Sequence, residues 1–228
     1  MANVLFIVTS HARLGDTGKS TGLWLEELAT PWFVLRDAGH TVALASPKGG
    51  QVPVDPASEA EPTDAMLRFH ADAESMQALA GALPLAGLDG AGYDALFLPG
   101  GHGPRWDFPG NAELARLVSA SFTAGRPVAA ICHGPVGLVD ALAEDGRPLV
   151  AGRRLACFTN AEERAVGLDA VVPFLLGDRL RELGAQLSSA PNFQPPAVRD
   201  GLLISGQNPA SSAPAAELLR ALLAESKR

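Results

Sequence analysis

The sequence predicts a three-layer α/β sandwich: a mostly parallel sheet with helices on both faces and a nucleophile elbow at the end of one strand. Three observations predict it. Short apolar runs at Val4–Thr9, Thr41–Ser46 and Tyr93–Leu98 read as strands covered on both faces. Stretches of helical periodicity separate them, and alternating strand and helix builds a parallel sheet. Val128-Ala129-Ala130-Ile131 then runs straight into Cys132-His133-Gly134-Pro135. A small-residue strand that ends in a nucleophile at a sharp turn is the elbow geometry.

The elements follow in order. Val4–Thr9 and Thr41–Ser46 with the helix between them make a βαβ unit. The segment from Gln51 to Gly92, rich in Pro, Ala, Asp and Glu, reads as an insertion over 51–92 on a single domain spanning 1–228, with a helix or two around Met66 to Leu83. Tyr93–Leu98 is the next strand, ending in Pro99-Gly100-Gly101-His102-Gly103. Asn111 to Ala124 is helical and Pro127 to Ile131 is the elbow strand. Beyond the elbow the sequence predicts a strand near Arg154 to Phe158, helices over Ala170 to Leu183, a strand at Leu202–Gly206 after Asp200-Gly201, and an amphipathic helix from about Ser212 to Ala224.

Composition narrows the function classes. Among 228 residues, 18 Lys and Arg against 25 Asp and Glu give a formal charge of −7, and no basic stripe with interleaved aromatics occurs, which argues against nucleic acid as a partner. Two cysteines are too few for a disulfide framework, and Met-Ala-Asn-Val leads directly into a strand, which points to a reducing, cytoplasmic compartment. No apolar run approaches the roughly 20 residues needed to span a bilayer, so no membrane partner is expected.

In an open parallel sheet the reactive groups gather beyond the carboxyl ends of the strands. The Thr9–Gly22 loop, Gly100-Gly101-His102 and Cys132-His133 all sit at such ends. The elbow lifts the Cys132 thiol above the sheet, where amides of a following helix favour thiolate. Gly100 and Gly101, with the amide of His133, are placed to turn N–H groups toward the sulfur as an oxyanion hole, and His102 joins them in the oxyanion and substrate-binding group. Cys157, between Ala156 and Phe158 with no such turn, belongs to the core.

At about 3.6 residues per turn, Leu23, Trp24, Leu28, Pro31, Val34, Leu35 and Ala38 fill one arc. Glu27 falls inside that arc and Glu26 outside it. A carboxylate on the core-facing side costs several kcal/mol unless protonated or partnered, which makes Glu27 an acid/base candidate with a raised pKa. Glu162 and Glu163 follow Phe158-Thr159-Asn160. Thr159 with Glu162, or Asn160 with Glu163, spaces like a capping box, and either glutamate is placed to orient the His133 imidazole. His11, His40 and His70 show no ligand spacing, so no metal is expected. A lid over the pocket falls near Trp106 or Phe193.

Together, Thr21-Gly22-(x4)-Glu27-(x3)-Pro31, Pro99-Gly100-Gly101-His102-Gly103, Ala130-Ile131-Cys132-His133-Gly134-Pro135, Phe158-Thr159-Asn160-Ala161-Glu162-Glu163 and Gly206-Gln207-Asn208-Pro209-Ala210-Ser211-Ser212 resemble the ThiJ/PfpI superfamily. Within it they resemble the branch of glutathione-independent glyoxalase III and heat-inducible chaperone-like proteins, related to class I glutamine amidotransferases. The resemblance implies a flavodoxin-like sandwich and a homodimer without a required cofactor. It implies Cys132 as nucleophile, His133 beside it, Glu163 as the acid that orients the histidine, and Glu27 as the carboxylate near the sulfur. The zinc site of some larger relatives is not recognisable in this sequence.

The activity implied is conversion of methylglyoxal, a small 2-oxoaldehyde, to lactate through a Cys132 hemithioacetal. A holding chaperone, a deglycase, a thiol redox sensor and an amidase are the alternatives the same superfamily offers.

Overall fold

Seven strands form one sheet in the computed structural model, which describes residues 1–225. In chain order the elements are β1 (Asn3–Ile7), α1 (Leu25–Asp37), β2 (Thr41–Ser46), α2 (Asp64–Ala71), α3 (Ala73–Ala80), β3 (Leu83–Pro84), β4 (Ala95–Leu98), α4 (Pro104–Asp107), α5 (Ala112–Thr123), β5 (Val128–Ile131), β6 (Arg154–Leu155), α6 (Asn160–Ala165), α7 (Leu176–Glu182), β7 (Gln186–Leu187), β8 (Ala197–Asp200), β9 (Leu203–Gly206) and α8 (Ser212–Glu225). The sheet order is β3-β2-β1-β4-β5-β9-β8, parallel throughout except for β8 against β9. β6 and β7 pair separately.

The central strands divide their side chains between two cores, as a period of two requires. Val4, Phe6, Ala95, Phe97, Ala129, Ile131 and Ile204 face the layer of α1, α2, α3 and α8. Leu5, Ile7, Leu96, Leu98, Val128, Ala130 and Leu203 face the layer that holds α5 and α7. Both faces are therefore apolar, which explains why the strand signals in the sequence are continuous runs.

Differences from the sequence reading lie at the margins of the sheet. Residues 170–175 are not helical, and only α7 forms in the 170–183 stretch. Asp200 ends β8 and Leu202 is not yet strand: Gly201-Leu202 is the turn of a hairpin joining β8 to β9, with Gly201 at φ 60. Within 51–92, α2 buries Met66 and Phe69 against α1, α3 adds Leu79 to the same core, and β3 extends the sheet edge beside β2. The element after the elbow is a short 3₁₀ helix, Gly134–Leu138, rather than an α-helix. Single amides at the turn, not a long helix dipole, therefore act on the sulfur. No helix among the described residues is long and apolar enough to cross a membrane.

Candidate active site

The carboxyl ends of β4 and β5 lie side by side, with Leu98 paired to Ala130, so the Gly100 and Cys132 turns meet. The end of the 9–22 loop closes over them: Gly103 N–H donates to the Gly22 carbonyl and Trp24 N–H to that of Gly100. The approach is close enough to exclude side chains. A Cβ on Gly101, which has φ 92, would stand 2.4 Å from the Gly22 oxygen. One on Gly134 would stand 2.0 Å from the Leu98 oxygen.

Cys132 adopts φ 57, a left-handed conformation rare for a residue with a side chain. Its N–H donates to the Gly206 carbonyl of β9 and its carbonyl accepts from Phe158 N–H, so both flanks hold the turn in place. The thiol is 4 % exposed. His133 follows with its ring folded back, Nδ1 3.4 Å from the Cys132 Sγ. Its Nε2 lies 2.8 Å from one oxygen of Glu163.

The other oxygen of Glu163 lies 2.8 Å from Nε2 of His102. One carboxylate thus bridges two imidazoles whose ring centroids are 4.3 Å apart. Burial would push the Glu163 carboxyl up, but the bonds from His102 and His133 outweigh it and hold the group well below the usual carboxylate range. Burial, reinforced by His102, presses His133 down to about 3. A neutral His133 that gives its Nε2–H to Glu163 keeps the Nδ1 lone pair for the thiol proton.

Glu27 is fully buried, as its helical phase predicts. Its Oε2 accepts the Gly100 N–H at 2.7 Å. Burial drives the acid to about 8, opposed in part by its contacts with Cys132 and Gly100. Burial and the neighbouring Glu27 also raise the Cys132 thiol well above its ordinary value, while the amides of Gly101 and His133 pull it back down. Both members of the pair therefore hold their protons near neutrality. Glu26, on the outer side of α1, bonds Thr30 and Thr63 instead.

The structure sorts the remaining candidates. Of the two glycines expected to aim an N–H at sulfur, Gly101 does so; the Gly100 N–H is taken by Glu27. His102, expected in the oxyanion and substrate-binding group, is spent on Glu163 and also lines the cavity. Thr159 and Glu162 form the capping box of α6, leaving Glu163 free to face His133. Cys157 is in the core, and burial pushes its thiol up to about 12.

Above Cys132 lies a cavity of about 120 Å³ walled by Trp24, Phe158, Val166, Phe193 and Pro209. Of the two residues expected near a lid, Phe193 lines the cavity and Trp106 stacks on His11.

Arg105 gave no signal in the sequence. It is 1 % exposed, packs on the Phe174 ring and donates to the Phe174 carbonyl, and its charge faces Glu163, Cys157 and Cys132. Burial lowers it to about 10.

The donors to hold a metal ion exist here after all. Among the described residues, His102, His133 and Glu163 form a set whose ligand atoms all lie within 4.8 Å of one another. His11, His40 and His70 are not part of it. The separations of 2.8 Å are those of direct hydrogen bonds, so each donor already has a partner inside the set.

The chain has known relatives in sequence and in fold. The chain matches the DJ-1/PfpI family over residues 21–223. It is 28% identical to the glutathione-independent glyoxalase HSP31 of Saccharomyces cerevisiae, covering 92% of this chain and 92% of that one. The fold superposes on the crystal structure of glyoxalase III from Candida albicans with a TM-score of 0.87, 26% identity and 96% of each chain covered. On the Rapid Encystment Protein 24 KDa of Francisella tularensis it superposes with a TM-score of 0.94, 35% identity and 97% and 98% of the two chains covered.

Proposed function

Because this chain belongs to the DJ-1/PfpI family, we propose that its elbow cysteine serves a glutathione-independent glyoxalase, converting methylglyoxal to lactate without a cofactor. One observation carries the reading: Cys132 sits at the floor of a small apolar cavity between two proton carriers of opposite habit. Glu27 keeps its proton to about 8, and the Nδ1 of neutral His133 is ready to take one. A reaction that moves a proton between adjacent carbons needs both.

The steps follow from those states. As Sγ attacks the aldehyde carbon, the thiol proton passes to His133 Nδ1, and Glu163 steadies the imidazolium through Nε2–H. The imidazolium returns the proton to the new oxyanion, giving a neutral hemithioacetal. His133 then takes the hydrogen from the former aldehyde carbon while Glu27 protonates the ketone oxygen, forming an enediol. His133 delivers its proton to the second carbon and Glu27 recovers one from the first hydroxyl, leaving a lactoyl thioester on Cys132. Water hydrolyses the thioester, and the thiol regains its proton. No electron enters or leaves, so the net reaction is methylglyoxal plus water to lactate and a proton.

The test is lactate formation from methylglyoxal by purified protein in the absence of glutathione. The reading expects turnover that Cys132→Ala abolishes. Turnover that survives the substitution contradicts it.

A further inference from the structure

Glu162 lies beside the site without facing it, fully buried, and its carboxylate accepts five hydrogen bonds. Two come from Thr159, through N–H and Oγ1, both at 2.9 Å to Oε2. The other three converge on Oε1: Phe193 N–H at 2.8 Å, Gln207 Nε2 at 2.9 Å and Asn208 Nδ2 at 2.8 Å. Gln207 and Asn208 are themselves fully buried and continue outward to the loop between β7 and β8. Gln207 Oε1 accepts from Ala190 N–H at 3.0 Å, and Asn208 Nδ2 donates to the Gln194 carbonyl at 2.7 Å.

The loop so held carries Phe193, which has φ 61 and is 49% exposed, yet lines the cavity above Cys132 with its ring 6.5 Å from that of Phe158. A bulky residue keeps a left-handed conformation only where its surroundings impose it. The bond from Phe193 N–H to Glu162 is such an imposition.

We propose that Glu162 is a positioning residue that sets substrate size: through Gln207, Asn208 and the Phe193 amide it fixes the Phe193 ring as the outer wall of the Cys132 cavity, which then admits 2-oxoaldehydes with short apolar substituents. The proposal rests on the glyoxalase reading for its substrate. It does not rest on that reading for its geometry. Glu162 touches no reacting atom and acts only through the wall it holds.

The experiment compares kcat and KM for methylglyoxal and phenylglyoxal in the wild type, Phe193→Ala, Glu162→Gln and Gln207→Met. Gln207→Met leaves the α6 cap untouched and serves if Glu162→Gln fails to fold. Opening the wall shifts the ratio of kcat/KM toward phenylglyoxal by about ten-fold in Phe193→Ala. The two anchor variants shift it the same way, mostly through KM. Alkylation of Cys132 by iodoacetamide against N-phenylmaleimide, followed by intact mass, reads the same wall without any turnover. If the wild type makes no lactate but Phe193→Ala and Gln207→Met both favour the bulkier reagent, the glyoxalase reading fails and the positioning role stands. A shift in Phe193→Ala with none in either anchor variant, or no shift in Phe193→Ala, overturns the role.

Discussion

His133 Nδ1 stands 3.4 Å from the sulfur of Cys132, although the two residues are neighbours in the chain. On an ordinary strand, adjacent side chains point to opposite faces. The left-handed backbone of Cys132 rotates the thiol out of that alternation and brings both groups to one side. Glu163 bonds the far nitrogen of the same imidazole, and Glu27 borders the sulfur.

Glu163→Gln tests the first support. A carboxamide offers one oxygen where two Nε2–H groups now donate, so either His133 or His102 meets an N–H and must change tautomer. If His133 changes, Nδ1 carries a proton and no longer accepts one. We expect kcat/KM to fall about 10²–10⁴-fold with the fold retained, measured by steady-state kinetics beside circular dichroism. Unchanged kinetics contradict the orienting role.

Glu27→Gln tests the second through stability. The raised pKa means the folded state keeps a proton that the unfolded chain releases from about 4.5 upward, so stability falls as pH rises toward about 8. His133 has the opposite slope, because its depressed pKa makes stability rise with pH between about 3 and 6.5. Above 6.5 only the Glu27 slope remains of these two. Between pH 6.5 and 8 the wild type should lose on the order of 1–2 kcal/mol that Glu27→Gln does not lose. Denaturant unfolding at the two pH values measures it; equal slopes in both proteins contradict the assignment.

Gly100→Ala tests the closeness of the two turns. A Cβ there would stand 2.6 Å from the His133 nitrogen and 2.9 Å from the Glu27 Oε2. Overpacking of this kind costs about 1–3 kcal/mol and displaces the acid from the sulfur. Thermal unfolding should show the loss, and activity should fall further than stability alone explains. A variant with native activity contradicts the packing.

Much of this was legible in the sequence, and the reason differs from residue to residue. The strands announced themselves because both faces of the sheet are buried, and Glu27 because an acid on the apolar arc of α1 breaks a periodic pattern. Glu162 and Glu163 could not be separated by spacing, since either completes a capping box; only the box made by Thr159 frees Glu163. His102 was legible as a site residue beside Gly100 and Gly101, but its bond to Glu163 spans 61 residues and Arg105 packs on Phe174 across a similar gap, so no local pattern carried that bond or Arg105. Gln207 and Asn208 belong to the Gly206–Ser212 motif, but what they hold, the Phe193 loop, depends on how β8 folds back on β9. The 170–175 stretch failed as a helix where Pro173 interrupts it.

The two thiols should differ in reactivity. Burial raises both thiols and each borders a pocket, but Cys132 has the Nδ1 of His133 3.4 Å from its sulfur to take its proton, whereas burial holds Cys157 at about 12. Brief iodoacetamide treatment near neutral pH, read by peptide mass spectrometry, should label Cys132 and spare Cys157. Equal labelling contradicts the assignment of Cys157 to the core.

In the proposed reaction Cys132 itself carries the substrate between aldehyde and acid. Acid quench of the protein during turnover of methylglyoxal, followed by mass spectrometry of the Cys132 peptide, tests it most directly. The expected result is an adduct of the substrate's mass on Cys132 that decays as lactate accumulates and is absent from Cys132→Ala. Lactate formed with no adduct on Cys132 at any time, or formed by Cys132→Ala, would contradict it.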